Sequence, residues 1–368
     1  MNSSGPFYSL FSNSTIGDNF TTPPCAVHSQ NISIAIFLCL VFVAGLFLNC
    51  FSLWVFCFMM PKWNSGTLLQ FHLVLSDIII TFSSPLMVAY IALGTHWPFG
   101  SVLCRLKIAL LFVHLYGSVA FLTLISVHRY MIVVHYKRSP WMKQKKFVQG
   151  LCAGVWLLML ATGTACFVFF DTSEIGDKTQ CLSIHQGQYI GTYFTLNFMF
   201  LILGFLVPFS VAAGCYSRLA RSVARINSKT GKGRAIKSKS NKMVAVCLTI
   251  FLVCFLPLNV IRTVGVMVKM FFPEACGVLL RVETAYYVSW IIAGANSCFD
   301  PLIYCFGSQN FSKAIHSSLR KIGFKVQTER PAEEDGDQTK EDLTKEDQTK
   351  DDLSVAYIKK EENSNTCL

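Results

Sequence analysis

The stretch LISVHRYMIVV, residues 124–134, decides the fold class because it marks where a long apolar segment ends. Three polar residues interrupt it: Ser126, His128 and Arg129. An arginine at the edge of a hydrophobic segment is costly to place, so we expect it to have a role there. The whole segment, about 104–134, exceeds the roughly 20 residues that a helix needs to cross a bilayer. The stretch therefore predicts the end of a membrane-spanning helix.

The composition of the whole chain indicates a membrane protein. Of its 368 residues, 52% are hydrophobic and 14% are charged, and the mean hydropathy is +0.46. A soluble domain carries about 25% charged residues. The sequence therefore predicts an all-α membrane protein, a bundle of seven transmembrane helices. The segments that are long and apolar enough are about 33–59, 67–93, 104–134, 148–170, 189–216, 243–268 and 283–306.

The formal net charge of +11 is concentrated in two short loops. Residues 135–147 contain five Lys and Arg, residues 217–242 contain nine, and neither loop contains an acidic residue. Such loops stay on the cytoplasmic side of a membrane. With seven spans, they place the N-terminus outside the cell and the C-terminus inside. The basic charge is explained by this topology, so we expect no nucleic-acid partner.

The N-terminal segment gives an independent indication of the same topology. It contains four N-x-S/T sequons, and such a sequon is glycosylated only on the lumenal side. We therefore predict that residues 1–32 form a glycosylated extracellular tail. The predicted glycosylation sites are Asn2, Asn13, Asn19 and Asn31.

Four of the fifteen cysteines fall outside the predicted spans on the extracellular side, where disulfides persist. They are Cys25, Cys104, Cys181 and Cys276. The pairs Cys104–Cys181 and Cys25–Cys276 would join this face of the protein twice. The sequence alone allows three ways of pairing them.

Several polar residues lie inside the predicted spans, where ionisable groups are candidates for a functional site. Asp77 and Asp300 are the two carboxylates, and they are accompanied by neutral oxygens from Asn49, Ser118 and Asn296. Oxygen ligands at one depth suit a hard cation such as sodium. A hydrogen-bond network that joins the helices is the alternative. Four spans also contain a proline, which kinks a helix and suits a bundle that moves: Pro85, Pro208, Pro257 and Pro301.

One marker in each span, in the right order, resembles the rhodopsin-like (class A) G-protein-coupled receptors. The resemblance covers about residues 25–325 and implies a seven-helix domain over 33–306. Residues 307–325 then hold a short amphipathic eighth helix, for which 306–319 is the matching stretch. The markers are Asn49 in GLFLN, Asp77 in LVLSD, Arg129 in HRY, Trp156 in GVW, Pro208 in FLVPF, Pro257 in CFLPL and DPLIY at 300–304.

Further residues are similar to the nucleotide and lipid-mediator (purinergic-receptor-like) branch of that family. They include WPFG at 97–100, DP at 300–301, the Cys25/Cys276 pair and Arg262. The family also places a disulfide where Cys104 and Cys181 stand. The resemblance implies a plasma-membrane receptor that is activated by an extracellular ligand and signals through heterotrimeric G proteins.

The resemblance assigns roles in activation to residues at the cytoplasmic end and in the sixth and seventh spans. In the family, the arginine matching Arg129 pairs at rest with an acid before it, but here the preceding residue is His128. A neutral imidazole gives no ion pair, so we hypothesise a raised basal activity. The alternative is that His128 only hydrogen-bonds to the following loop. The predicted activation residues are His128, Arg129, Tyr216, Phe255, Pro257, Asp300, Pro301 and Tyr304.

The family's sodium pocket gives the polar residues of the spans a second interpretation. By resemblance, a sodium ion is the one cofactor-like group expected, and no other cofactor is implied. The matching positions are Asp77, Ser118, Asn296, Ser297 and Asp300.

The predicted ligand is a small anion. Leu111 stands where amine receptors carry an aspartate and Gly294 where a retinal-binding lysine would be, so neither a cationic amine nor retinal is expected. Cations cluster instead near the extracellular rim, and arginine captures phosphate or carboxylate well. The rim cations are Arg105, Lys107, Arg262, Lys269 and Arg281. Each of them could instead contact a lipid headgroup or pair with Glu274 or Glu283.

The ligand class stays open among a nucleotide, a lysophospholipid, a lipid acid and a carboxylate. Nucleotide receptors of this branch usually have His where Asn259 stands and Tyr where Phe112 stands, and both departures weaken the nucleotide interpretation. The predicted ligand-binding residues are Lys107, Phe112, Asn259, Arg262, Tyr286, Tyr287 and Trp290.

The C-terminal segment 326–368 is predicted to be a disordered acidic cytoplasmic tail. Residues 339–353 repeat T-K-[ED]-D every five residues, and phosphates on those threonines could recruit arrestin. A solvated acidic spacer is the alternative. For the whole chain, the alternatives to a signalling receptor are a decoy that binds without coupling and a transporter. No motif supports an enzyme. Besides the G protein, the expected partners are the anionic ligand and membrane lipids.

Overall fold

The computed structural model describes residues 29–60, 62–135, 140–175, 178–181, 190–224, 231–307 and 311–315. For residues 175, 231–237, 239–240, 306 and 307 it describes the backbone only. Seven helices in it are long and apolar enough to cross a membrane, which confirms the predicted fold class. We name them spans 1 to 7. Their bounds are Ile32–Met59, Ser65–Ala92, Gly100–Val134, Lys145–Phe169, Ile190–Ala224, Asn241–Phe271 and Cys276–Cys305.

Most spans extend beyond the apolar segments that predicted them. Span 5 continues for eight residues past the predicted 216, through Arg218 and Arg221, and span 7 begins seven residues before the predicted 283. Charged residues at helix ends lie in water or at the bilayer surface, so hydropathy alone does not detect them. Two asparagines fix the starts of spans 1 and 2, because Asn31 accepts a hydrogen bond from the Ser33 N–H and Asn64 from the Thr67 N–H.

Irregular turns accompany two of the four prolines at which kinks were predicted, whereas span 2 continues as one α-helix through Pro85. A π-helical turn at Phe200–Leu206 precedes Pro208, and another at Ile250–Phe255 precedes Pro257. A proline has no N–H and its ring clashes with the carbonyl four residues earlier, so the preceding turn widens. Span 7 consists of two helices, Cys276–Gly294 and Asn296–Gly307, and the second contains Pro301.

Span 3 is the centre of the bundle. In its most apolar window 72% of residues are buried, against 17% in spans 4 and 5, and it packs against spans 2, 4 and 5. Lipid supplies no hydrophobic drive between helices, so close packing and hydrogen bonds join them. Asn49 of span 1 donates to the Ser297 carbonyl at 2.9 Å, next to the break in span 7. This contact ties span 1 to the irregular part of span 7.

A β-hairpin covers one end of the bundle. Strands β1 (Thr172–Ile175) and β2 (Lys178–Cys181) are antiparallel, and the Cys104–Cys181 disulfide attaches β2 to the start of span 3. We call this end of the bundle the disulfide end. Cys276 also takes part in a disulfide at this end, while its predicted partner Cys25 lies outside the described residues.

Some of the predicted features fall on parts of the chain that the structure does not describe. They concern Asn2, Asn13 and Asn19, most of the eighth helix, and the acidic tail with its threonines. Of the eighth-helix segment, residues 311–315 are described and are helical. There the ring of Phe311 packs on Phe56 and Tyr304, with centroids 4.8 and 5.5 Å away.

Candidate functional site

Arg262 of span 6 lies at the centre of a hydrogen-bonded cluster near the disulfide end. Its side chain is buried, with 2% of its surface exposed. The guanidinium donates to Asn197 Oδ1 at 2.8 Å, to the Tyr116 hydroxyl at 2.7 Å and to Asn259 Oδ1 at 3.1 Å. All three partners are neutral, and Nη1 makes no hydrogen bond within the described residues. The cluster therefore orients a full positive charge without neutralising it.

The partners of Arg262 are themselves held in place from three spans. Asn259 donates to the Phe255 carbonyl at 2.9 Å, in the π-helical turn before Pro257. Asn197 of span 5 donates to Thr263 at 3.1 Å. A guanidinium fixed in this way has lost its side-chain entropy before a ligand arrives, which favours tight binding.

Tyr116 is positioned by close contact with span 5. Its ring stacks on Phe200, with centroids 5.0 Å apart, and lies against Gly204. A Cβ on Gly204 would come within 2.6 Å of the Tyr116 ring, so no larger residue fits there without moving the ring. The glycine thus sets the distance between span 5 and the hydroxyl that accepts from Arg262.

Lys107 of span 3 forms a second buried cationic position, on a different face of that span from Tyr116, the partner of Arg262. Only 1% of its surface is exposed, and its Nζ lies 5.0 Å from the ring centroids of both Tyr90 and Trp97. Nζ also donates to the Cys181 carbonyl at 3.4 Å. Within the described residues, the ion pairs do not include Lys107 or Arg262. Buried charges in proteins are normally paired, so both positions are suited to an anion.

Aromatic residues surround the two cations. Phe112 lies under the Arg262 guanidinium, 5.6 Å from ring centroid to Cζ, and is stacked on Phe170 at 5.9 Å. On span 7, Tyr286, Tyr287 and Trp290 are all buried, and Tyr286 is 6.1 Å from Trp290. Every predicted ligand-binding residue is therefore buried near the disulfide end, although the structure divides the cations between two faces of span 3.

The other rim cations lie elsewhere. Arg281 is exposed and Lys269 is partly exposed. Arg105 forms an ion pair with Asp171. Sequence analysis missed Tyr116 and Asn197. The spacing of Tyr116, one helical turn after Phe112, was a signal for the first of them, whereas Asn197 becomes apparent only when spans 5 and 6 are packed together.

A second polar cluster lies in the middle of the bundle. Ser118 donates to Asp77 Oδ1 at 2.8 Å, and Asn296 donates to Asp300 Oδ2 at 3.4 Å. In the described part of the chain, four buried oxygens of this cluster have no hydrogen-bond partner. They are Asn49 Oδ1, Asp77 Oδ2, Asn296 Oδ1 and Asp300 Oδ1. Buried acceptors without donors fit a bound cation, since each would otherwise be left unsatisfied.

Two residues change the expected composition of this cluster. Ser297, predicted as a sodium ligand, donates its hydroxyl to the Gly294 carbonyl and lies against Gly45 of span 1. His114, which sequence analysis did not identify, lies with Nδ1 3.9 Å from Asp77 and 3.2 Å from the Ser76 carbonyl. Among the described residues, no group of three or more His, Cys, Asp and Glu is arranged to hold a metal ion.

The end of the bundle opposite the disulfide contains the HRY residues. His128 is buried, and its Nε2 shares a 2.9 Å hydrogen bond with the Ser65 hydroxyl at the start of span 2. A backbone group of Met142, in the following loop, also forms a hydrogen bond with the ring. His128 therefore joins span 3 to span 2 and to that loop.

The tyrosines assigned to activation are also buried at this end. The hydroxyls of Tyr216 and Tyr304 have no hydrogen-bond partner within the described residues. Phe255 is buried, and its backbone carbonyl accepts the hydrogen bond from Asn259. The structure thus connects the disulfide end to the middle of span 6 through neighbouring side chains.

Comparison with known proteins agrees with this geometry. The family model described as 7 transmembrane receptor (rhodopsin family) matches residues 22–304. The chain is 36% identical to the mouse (Mus musculus) Y-type purinoceptor 4, over 76% of the chain and 77% of the relative. It is 36% identical to the human (Homo sapiens) Y-type purinoceptor 2, over 77% and 75% respectively. It is 32% identical to chicken (Gallus gallus) lysophosphatidic acid receptor 6, over 74% and 89%.

These matches are to receptors, so they support neither the transporter nor the decoy alternative, nor an enzyme. They confirm the predicted purinergic and lipid-mediator branch. The family implies a multi-pass membrane protein that binds a small molecule and couples to G proteins. The chain therefore belongs to the rhodopsin family of seven-transmembrane, G-protein-coupled receptors.

Proposed function

We propose that the chain is a plasma-membrane receptor for an extracellular ligand that carries phosphate. The observation that supports this most is the buried Arg262, which has three neutral partners and an Nη1 that makes no hydrogen bond to a described residue. The two N–H groups of Nη1 can donate to a phosphate, and such charge-assisted hydrogen bonds are strongest where water is excluded. Lys107 supplies a second positive charge for the same ligand or for a further anionic group on it.

A nucleotide is the first candidate ligand. The relatives named above include two purinoceptors, and a planar base has aromatic surfaces available in Phe112 and Tyr286. The missing histidine at Asn259 does not weaken the anion site, because Asn259 itself orients Arg262. Phosphates on the cations and a base on the aromatic rings would use both features of the site.

A lysophospholipid is the second candidate. It is favoured by the 32% identity to a lysophosphatidic acid receptor and by the apolar Phe112 at the position where nucleotide receptors usually have tyrosine. Its phosphate would bind the same guanidinium, and its acyl chain would take the place of the base.

The proposed signal passes from Arg262 into span 6. An anion bound at Nη1 pulls on a side chain that is linked through Asn259 to the Phe255 carbonyl. The π-helical turn there lies directly before Pro257, where a helix bends most easily. Span 6 would then move at the opposite end and expose Arg129, Tyr216 and Tyr304 to the G protein. This arrangement favours a coupling receptor over a decoy.

We place the disulfide end outside the cell and the basic loops inside. We also propose that a sodium ion is held by Asp77, Asp300, Ser118 and Asn296. Its single positive charge would offset one of the two carboxylate charges in a low-dielectric environment, and its coordination would join spans 2, 3 and 7. Arrestin binding to the phosphorylated tail is also part of the proposal.

The proposal is tested by ligand response in cells. Cells that express the chain are exposed to ATP, UTP, ADP, UDP and oleoyl-lysophosphatidate, and G-protein dissociation is measured. We expect one phosphate class to give a saturable response that untransfected cells lack. Silence towards the whole panel, at confirmed surface expression, would count against a phosphate ligand.

Substitution of Gly204 by alanine is expected to lower ligand potency about ten-fold. The added methyl group would displace the Tyr116 ring and with it the hydrogen bond to Arg262, and overpacking of this kind typically costs about 1–3 kcal/mol. Gly214→Ala is the matched control, because it lies in the same span and a Cβ there meets nothing within 4 Å. Equal dose–response curves for the two variants would contradict the assigned role of Tyr116.

Replacement of His128 by aspartate is expected to lower basal G-protein activity by about two-fold or more. A carboxylate would pair with the adjacent Arg129, and such a pair is worth up to about 1 kcal/mol when partly exposed. Basal G-protein dissociation is compared at equal surface expression, with Ser65→Ala as the variant that removes the hydrogen bond without adding a charge. A wild type as silent as untransfected cells would disprove the raised-activity hypothesis.

A further inference from the structure

A crevice on the outside of the bundle has no role in the site described above. It lies between spans 3, 4 and 5 at the disulfide end and has a volume of about 210 Å³. Its lining residues are Arg105, Val168, Phe169, Asp171 and Thr192. Arg105 is two residues from Lys107, and two residues on a helix are about 200° apart. Arg105 therefore faces away from the buried cations.

The polar part of the crevice consists of two opposite charges side by side. The Arg105 guanidinium donates to Asp171 Oδ2, and the Thr172 N–H donates to Asp171 Oδ1 at 2.7 Å. These contacts, with that from Arg105 the largest, hold the pKa of the Asp171 carboxyl below its usual value. The carboxylate is therefore charged at neutral pH. Both side chains remain partly accessible, with 35% and 28% of their surfaces exposed.

The apolar part of the crevice lies directly below these charges. Val168 and Phe169 form the last turn of span 4 and are 62% and 50% exposed. Exposed apolar side chains at the end of a membrane span contact lipid acyl chains. Arg105 and Asp171 consequently lie at the level of the headgroups.

We propose that this crevice binds the headgroup of a zwitterionic phospholipid from the outer leaflet. Its phosphate would accept hydrogen bonds from Arg105, and its ammonium group would lie against Asp171. The Arg105–Asp171 pair stays intact, because a guanidinium has five N–H donors and can serve a second acceptor beside the carboxylate. The cavity volume equals roughly seven water molecules at about 30 Å³ each. In this proposal the volume holds a headgroup, while the acyl chains lie along Val168 and Phe169.

Because the pair presents one positive and one negative side chain, the proposal predicts which phospholipids the crevice prefers. Phosphatidylcholine has both a phosphate and an ammonium group, whereas phosphatidylglycerol has the phosphate alone. Arg105→Gln is expected to weaken the binding of both lipids about ten-fold, since it removes charge-assisted hydrogen bonds. Asp171→Asn is expected to remove the preference for phosphatidylcholine and leave phosphatidylglycerol binding unchanged.

The test measures lipid retained by the purified full-length chain. Protein in detergent is incubated with mixtures of the two lipids, and bound lipid is counted by native mass spectrometry. Glu274→Gln and Arg281→Ala, two exposed charges at the same end, are the control variants and should retain lipid as the wild type does. Thr192→Trp fills the crevice without changing charge, so it should also reduce retention if Arg105→Gln fails to fold.

Two results would overturn the proposal. The first is that Thr192→Trp, Arg105→Gln and Asp171→Asn all keep the wild-type amount and preference of lipid. The second is that the control variants Glu274→Gln and Arg281→Ala lose as much lipid as Arg105→Gln, which would make the loss unspecific to the crevice. Neither result depends on the receptor's ligand, so failure here leaves the proposed function untouched.

Discussion

Replacing Arg262 by alanine is expected to raise the ligand concentration for half-maximal response about 100-fold or more. Truncating one partner of a buried, hydrogen-bonded charge pair costs about 2–5 kcal/mol, and each 1.4 kcal/mol is a factor of about ten. Arg262 is buried and oriented by Tyr116, Asn197 and Asn259, so no exposed side chain can take over its contact. The measurement is a dose–response curve of G-protein dissociation with the active compound of the panel.

Three controls separate loss of charge from loss of shape. Arg262→Lys keeps the charge but not the planar fork of donors, so we expect an intermediate loss of potency. Arg281→Ala removes an exposed cation at the same end and should leave potency unchanged. Surface labelling confirms that each variant reaches the plasma membrane. An Arg262→Ala receptor with wild-type potency would show that the anion binds elsewhere, with Lys107 as the remaining candidate.

The sequence predicted the bundle because hydropathy reports lipid contact directly. All seven predicted segments coincide with observed spans, and the two long errors lie at the ends of spans 5 and 7. There the helix continues through polar residues such as Arg218 and Arg221, whose backbone hydrogen bonds do not depend on side-chain polarity. Hydropathy therefore predicts the presence of a span, but it does not predict where the last turns of the helix end.

The site was predicted only in part, because its geometry depends on which faces of the spans meet. Lys107 and Arg262 were both identified. That Lys107 and Tyr116, the partner of Arg262, lie on different faces of span 3 follows from the rotation of the helices. Tyr116 and Asn197 matter because span 5 lies close to span 3 at Gly204. Ser297 faces span 1 because span 7 breaks at Ala295. None of these relations is local in the sequence.

Replacing Asp77 by asparagine is expected to abolish the effect of sodium on ligand binding. Asparagine keeps the shape and the hydrogen bond to Ser118 but removes the charge that would attract the cation. In the wild type, sodium would hold spans 2, 3 and 7 in the resting arrangement, so a ligand that requires their movement binds less tightly. A coupling of this kind changes affinity by roughly five-fold or more.

The measurement compares ligand affinity in membranes at equal concentrations of sodium chloride and choline chloride. Glu274→Gln, an exposed carboxylate changed to an amide, is the matched control and should keep the full sodium effect. A sodium effect that persists in Asp77→Asn, or is absent from the wild type, would favour the other interpretation, a hydrogen-bond network that joins the helices. In that case Asp77 and Asp300 would have to share a proton, because two adjacent buried carboxylates cannot both remain charged without a cation. The four unpartnered oxygens make the cation the better explanation, since one proton can satisfy only one acceptor beyond its own.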